Sequence, residues 1–341
     1  MYRIDLTDAD REAVEPLLAE LLAERPASDE ELLDAVALRA QELPRGLRAQ
    51  VNTFRLEEPS GGCVISGLPV DDTRIGATPA TWGEADADGR TRREDMFLLM
   101  CASLLGDPIA WATQQDGRLL HDVVPIKGHE HAQLNSSTAE PLTWHTEDAF
   151  HPYRAEYVGL MCLRNPDEVE TTYALFDDLR LDEQTRRTLA GAHYVIRPDN
   201  SHQPQHRGAD STLDAPADLL ERSIRLIERL TASPERVPVL FGDPRSPYGR
   251  LDPYFMDRTT EDAEATAAFE ALVKEIDTRL TGIALRPGDV LFIDNYKAVH
   301  GRNPYRARYD GRDRWLRRVN VTRDLRKSRD ARVRAGSRVI F

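Results

Sequence analysis

The chain has 341 residues, 40 % of them hydrophobic and 7 % aromatic, which is enough for a real core and too much for a disordered chain. Acidic residues outnumber basic ones 58 to 45, and no run approaches the roughly 18 consecutive apolar residues of a membrane helix, so neither nucleic acid nor a bilayer is an expected partner. The charge is uneven: residues 301–341 hold 14 Lys and Arg against 4 Asp and Glu, behind an acidic body.

No apolar signal-peptide stretch follows Met1-Tyr2-Arg3-Ile4-Asp5. Cys63, Cys101 and Cys162 are far apart in apolar contexts and read as buried thiols of a reducing, cytoplasmic compartment. Val14, Leu17, Leu18, Leu21 and Leu22 recur at helical spacing until Pro26. Ser28 with Glu31 is a capping-box pattern that opens a second helix to about Leu43. Gly62–Ser66 reads as a short buried strand, and about Arg92 to Leu105 as a third helix.

From about residue 108 the texture becomes short β-runs and turns. Candidate strands are Ile109–Thr113, Glu156–Arg164, Thr171–Phe176, His193–Arg197, Val237–Phe241, Gly288–Ile293 and Arg314–Thr322. Helices over about Pro216–Leu230 and Thr260–Thr281 interrupt them as part of a large insert, about 200–281. The pattern suggests one β-core, a sandwich or jelly roll, with helices packed around it.

The chemistry concentrates in Leu142–Asp148 and Arg286–Arg302. His145 and Glu147 are two apart, so in an extended chain their side chains share a face and can share a metal. Arg286-Pro287-Gly288-Asp289 reads as a turn, Val290–Asn295 as a buried strand, and His300-Gly301-Arg302 follows; Arg314 comes fourteen residues after His300. Two histidines and a carboxylate make a facial triad that leaves three positions open on iron, enough for a bidentate 2-oxo acid and oxygen. The far carboxylate of that acid needs a fixed bidentate cation, for which Arg is better suited than Lys. Arg318 lies four residues beyond Arg314, on the same face of a strand, where it can hold a second carboxylate.

This combination, HxE, then GDVLFIDN, HGR and the distant Arg, resembles the iron(II)/2-oxoglutarate oxygenases of the clavaminate synthase-like group. The stretch Thr143–Asn165 (TWHTEDAFHPYRAEYVGLMCLRN) is most similar to its arginine β-hydroxylases of the viomycin type. The resemblance implies a double-stranded β-helix (jelly-roll) core with a helical lid insert, in one oxygenase domain over 1–341: a mostly helical region to about 105, and the core over 106–325. It implies Fe(II) on His145, Glu147 and His300, and 2-oxoglutarate on Arg314 with a supporting Thr, for which Thr172 is preferred over Thr171. A Glu in the triad fits this group and argues against halogenation, in which a halide takes the carboxylate's place.

For the substrate, the resemblance implies Arg318 on the α-carboxylate, Gln114 and Glu147 on the α-amine, Ser201 nearby, and Asp252 against a guanidinium. Where the viomycin-type enzymes place a second acid, this chain has Tyr254; Asp257 could supply the missing charge, or Tyr254 could stack on another head group. His129 and His131 flank a stretch, Leu134–Ser137, expected to face the substrate; the remaining histidines, His121, His151, His193, His202 and His206, are expected to be structural or on the surface. The expected activity is hydroxylation of a free basic amino acid, arginine or a close analogue at C3, with O2 as co-substrate, in tailoring of a peptide natural product. Attack at C4, double hydroxylation, desaturation, or citrulline, lysine or enduracididine as substrate stay open. Rival readings are a metal-binding jelly roll without oxygenase activity, which would not need a buried Arg314, and a zinc hydrolase, for which Asp148 is the nearby candidate base.

Overall fold

The computed structural model describes residues 1–84, 89–202, 216–257 and 260–341; His206 and part of the expected insert lie outside them. Two facing sheets form the centre. The larger runs, in spatial order, Tyr2–Asp5, Gly62–Ser66, Val290–Asp294, Tyr157–Arg164, Trp315–Thr322, Asp107–Trp111 and Val339–Ile340, with Leu120–Val123 also paired to Trp315–Thr322. The smaller runs Thr281–Ala284, Glu170–Leu175, Ala298–Arg302 and Leu142–His145. From Leu142–His145 to Glu170–Leu175, and again from Thr281–Ala284 to Trp315–Thr322, consecutive strands alternate between the two sheets, as in a jelly roll.

Three apolar clusters account for the layering. Val64, Leu160, Cys162, Leu291, Ile293 and Leu316 of the larger sheet meet Ile283 and Ala298 of the smaller. The other face of the larger sheet packs, through Phe292, Val319 and Val321, on the N-terminal helices Asp8–Ala23, Asp29–Ala40 and Arg45–Glu57 and on Arg92–Ser103. The outer face of the smaller sheet packs, through Trp144, Ala174 and Val299, on Phe269, Leu272 and Ile276 of the helix Ala263–Arg279 and on Ile227 of Ala217–Ala232. Strands such as Tyr157–Arg164 are therefore buried along their whole length, which is why they read as continuous apolar runs rather than alternating ones.

Several boundaries differ from the sequence reading. The strands Tyr2–Asp5, Leu120–Val123, Ser246–Gly249, Ala298–Arg302 and Val339–Ile340 were not singled out there, and Thr281–Ala284 is a strand where the preceding helix was expected to reach Thr281. His193–Arg197 shrinks to Tyr194–Val195, and Val237–Phe241 splits into Arg236–Val237 and Leu240–Asp243. These short strands owe their conformation to cross-strand partners rather than to local propensity.

Two glycines in the motif have spatial reasons. Gly288 turns with φ +92°, and a Cβ there would sit 1.8 Å from the Leu68 carbonyl oxygen. At Gly301 a Cβ would lie 2.5 Å from the Leu142 carbonyl oxygen, so glycine lets the strands that carry His145 and His300 come together.

Candidate active site

His145 ends one strand of the smaller sheet, and His300 lies directly opposite it in the neighbouring strand. Glu147 follows in a loop pinned from two sides. Asn295 accepts from the Glu147 N–H (2.6 Å) and donates to its carbonyl (3.0 Å), while Thr146 N–H donates to Leu251 O (2.9 Å). The Glu147 Oε2 atom lies 3.7 Å from His145 Nε2 and 3.4 Å from His300 Nε2. All three donor atoms lie within 4.8 Å of one another, which fits one divalent ion held facially. His145 Nδ1 faces Thr143 O at 2.8 Å, which places the proton there and leaves Nε2 free to ligate. Burial opposes ionisation of Glu147, but Arg318 together with the contacts from His145 and His300 outweighs it and holds the carboxyl well below the usual carboxylate range.

The two predicted arginines point into the space between the sheets. Leu316, Arg318 and Asn320 take alternate positions on one strand, with Arg314 just before it, whereas Arg317 points the other way onto Asp95 and Asp122. Arg314 is buried and, among the described residues, has no carboxylate partner; Arg302 and Tyr305 are its charged and aromatic neighbours. A desolvated guanidinium without a counter-charge, beside the triad, fits the distal carboxylate of 2-oxoglutarate. Thr171, His300, Gly301, Arg302, Arg314 and Leu316 line this compartment.

The preference for Thr172 is corrected. Arg314 Nη2 donates to Thr171 Oγ1 (3.3 Å); Thr171 is buried and pairs with Ile283 and Arg302, whereas Thr172 projects from the opposite face of the strand, toward Gly301. A one-residue choice in a strand changes the face.

Arg318 donates to Glu147 Oε1, to Gln114 Oε1 (2.7 Å) and, at 2.6 Å, to His121 Nδ1. Gln114 in turn donates to Ser201 Oγ (2.6 Å). The structure thus brings Gln114, Glu147, Ser201 and Arg318 into one chain of contacts. Asp252, Tyr254, Asp199 and Gln133–Asn135 line the adjoining compartment; its mouth is at Tyr254, 54 % exposed. Asn135, Leu142, Glu147 and Arg318 wall both compartments.

Some residues were missed or take other parts. Asp257 pairs with Arg197 (2.7 Å) outside the pocket; Asp199 lines it together with Asp252, Glu147 and Asp148. Only its place in the fold reveals Asp199, since the sequence Pro198-Asp199-Asn200 reads as an ordinary turn. His121, expected to be structural, touches Arg318; burial and then the Arg318 charge hold it well below the usual histidine range, so its neutral ring accepts. Asp148 is tied to Trp111 Nε1 (2.5 Å) and His202 Nε2 (2.9 Å) and is not free to serve as a hydrolase base. His129 bonds Ser136 Oγ (2.7 Å) and the exposed His131 lies beside Glu140 (3.1 Å), so this pair braces the loop that carries Gln133–Asn135.

The family model for the taurine catabolism dioxygenase TauD, TfdA family matches residues 55–320. The chain belongs to the TauD/TfdA family of dioxygenases. Within this family it is 47 % identical over 344 residues to the L-ornithine/L-arginine 3-hydroxylase of Catenulispora acidiphila, covering 100 % of both chains. It is 45 % identical over 342 residues to the enduracididine beta-hydroxylase of Streptomyces hygroscopicus, again covering 100 % of both. The crystal structure of the non-heme iron oxygenase OrfP in complex with Fe, succinate and (3S)-hydroxy-L-Arg superposes with a TM-score of 0.92 at 41 % identity, covering 100 % of both chains. This TauD/TfdA member therefore has the jelly-roll fold and the iron and 2-oxoglutarate dependence that its His-Glu-His cluster and buried Arg314 fit.

Proposed function

We propose that the chain hydroxylates a free basic amino acid, arginine or its close analogue enduracididine, at C3. The observation that carries this reading is the set of charges gathered in the pocket beside His145 and Glu147: one guanidinium, Arg318, and the carboxylates Asp199 and Asp252. An α-amino acid with a cationic side chain, which carries one anionic and two cationic groups, matches that set.

His145, Glu147 and His300 would hold the iron, and Arg314 with Thr171 the distal carboxylate of 2-oxoglutarate. Iron(II) with 2-oxoglutarate and O2 supplies the oxidation that turns one C–H into C–OH, with succinate and CO2 released. The protein's own part is position. Arg318 takes the α-carboxylate, Gln114, Ser201 and the second oxygen of Glu147 take the ammonium, and Asp252 and Asp199 take the side-chain cation. Holding both ends presents the carbon next to the α-carbon to the metal. Tyr254 closes the mouth with an aromatic face that suits a planar guanidinium. Support for a single oxygenase unit over 1–341 comes from the terminal strands Tyr2–Asp5 and Val339–Ile340, which both pair into the larger sheet. The three buried free thiols support a cytoplasmic setting, and the enduracididine relative supports natural-product tailoring.

Anaerobic titration with Fe(II) and 2-oxoglutarate is expected to develop a visible charge-transfer band. In air, arginine and enduracididine are expected to gain one oxygen at C3, located by NMR, ahead of ornithine, lysine and citrulline. No band, and no succinate with any amino acid of the panel, would overturn the reading.

A further inference from the structure

The residues assigned to the ammonium, Gln114, Glu147 and Ser201, come from three distant segments. Each has a chain neighbour in one buried knot: Thr113, Asp148 and His202. His202 is its centre, with no exposed surface. Its Nδ1 lies 2.6 Å from Thr113 Oγ1, and its Nε2 lies 2.9 Å from Asp148 Oδ1. Trp111 Nε1 donates to the other Asp148 oxygen, and the Phe150 ring stands edge-on to the imidazole at 4.9 Å. Asp148 holds φ +49°, a left-handed conformation that a non-glycine residue keeps only when its surroundings enforce it. Asp148, Asp199 and His202 also converge closely enough to suggest a metal site, but both His202 ring nitrogens are engaged by protein, which leaves none for an ion.

We infer that His202 is a positioning residue for the amino-acid substrate: by joining Thr113, Asp148 and its own turn, it sets Gln114, Glu147 and Ser201 in register as one ammonium clamp. The inference rests on the proposed amino-acid hydroxylase reading. It differs from a packing role in a specific way. A slack clamp lets the substrate C–H wander, so 2-oxoglutarate is consumed without hydroxylation, whereas loss of packing alone lowers both together.

The test uses the whole chain loaded with Fe(II) and 2-oxoglutarate, comparing wild type with His202→Phe, which keeps a ring but no nitrogen, and Thr113→Val, which removes one hydroxyl at constant shape. Arginine affinity is measured anaerobically, and succinate released per hydroxyarginine formed is measured in air. Both variants are expected to keep the visible band. Loss of the His202 bonds is expected to weaken arginine binding about ten-fold in His202→Phe and less in Thr113→Val, with the succinate ratio rising in both. A His202→Gln variant, which can still donate to Asp148, is expected to recover part of the affinity. Wild-type affinity and ratio in Thr113→Val and His202→Phe would overturn the inference, as would weaker activity at an unchanged ratio; should His202→Phe not fold, Thr113→Val decides. A wild type that binds no basic amino acid would instead bring down the functional reading, and this inference with it.

Discussion

Burial pushes the Asp252 carboxyl up to about 6; the nearby Asp199 charge adds to this, while His145 and the N–H groups of Phe255 and Tyr254 oppose it. An unfolded Asp titrates near 3.9. Between those two values the folded state binds more protons, so stability falls as pH rises from about 4 to about 6. Asp252→Asn is therefore expected to raise the unfolding free energy near neutral pH, by roughly 2–3 kcal/mol at most. The difference should vanish below about pH 4. The same charge is what a cationic side chain requires. Wild-type kcat/KM for arginine should climb with pH around 6, and Asp252→Asn should lose both that limb and most of the activity. Thermal melts and rate profiles across pH 4–8 check the two halves; an Asn variant no more stable than wild type at neutral pH would show that the Asp252 charge is already compensated. Residue identities at the triad were legible in the sequence because the chemistry restricts the donors and the spacing is local. Thr171 was not, since choosing between adjacent threonines needs the strand's phase, and that phase is set by pairing with Ile283 and Arg302.

At the scale of elements, one side chain holds the Glu147 backbone at both its N–H and its carbonyl. Asn295 is fully buried in the turn after Val290–Asp294. It accepts from Glu147 N–H and donates to the carbonyls of Glu147 (3.0 Å) and Ala155 (2.9 Å). Asn295→Ala leaves a buried donor and two buried acceptors unpaired, an expected loss of several kcal/mol at ~1–3 kcal/mol per group. Because Glu147 then loses its backbone anchor, anaerobic titration should also show iron affinity falling about ten-fold; a variant that is less stable but binds iron as well as wild type would assign Asn295 to folding alone. The sequence showed the Asp294-Asn295 pair as part of a motif but not what the amide does, since its partners lie 148 and 140 residues away. Long-range partners also explain why Leu120–Val123 was missed. Its register sets Asp122 against Arg317 and His121 against Arg318, so the two sides of a short polar strand serve opposite sides of the sheet. Helices fared better, because Ser28 and Asp262 cap them locally.

The basic C-terminal region belongs to the body of the molecule. Arg314, Arg317 and Arg318 are interior, and beyond Arg323 the chain wraps back onto the acidic side. Val339–Ile340 adds to Asp107–Trp111 in parallel, Lys327 pairs with Glu156 (2.7 Å), Arg338 with Asp107 (3.2 Å) and Arg334 with Glu30 (3.3 Å). Charge complementarity orients this wrap, but exposed pairs contribute little. The stronger link is Arg332, 4 % exposed. Its guanidinium donates to the carbonyls of Leu325 (2.9 Å), Ala335 (2.5 Å) and Ser337 (2.9 Å), gathering the segment around itself. Arg332→Ala should thus lower stability by at least about 3 kcal/mol, counting ~1–3 kcal/mol for each of the carbonyls left dry, and the loss should persist in high salt. Arg334→Ala should change stability by at most about 1 kcal/mol, and molar salt should erase the difference. Denaturant melts of both variants at low and high salt separate the two contributions. Equal, salt-sensitive losses would mean that surface charge fastens the C-terminus; a large, salt-insensitive loss in Arg332→Ala alone would place the fastening in that buried guanidinium, a few residues before Val339–Ile340, the strand at the edge of the larger sheet.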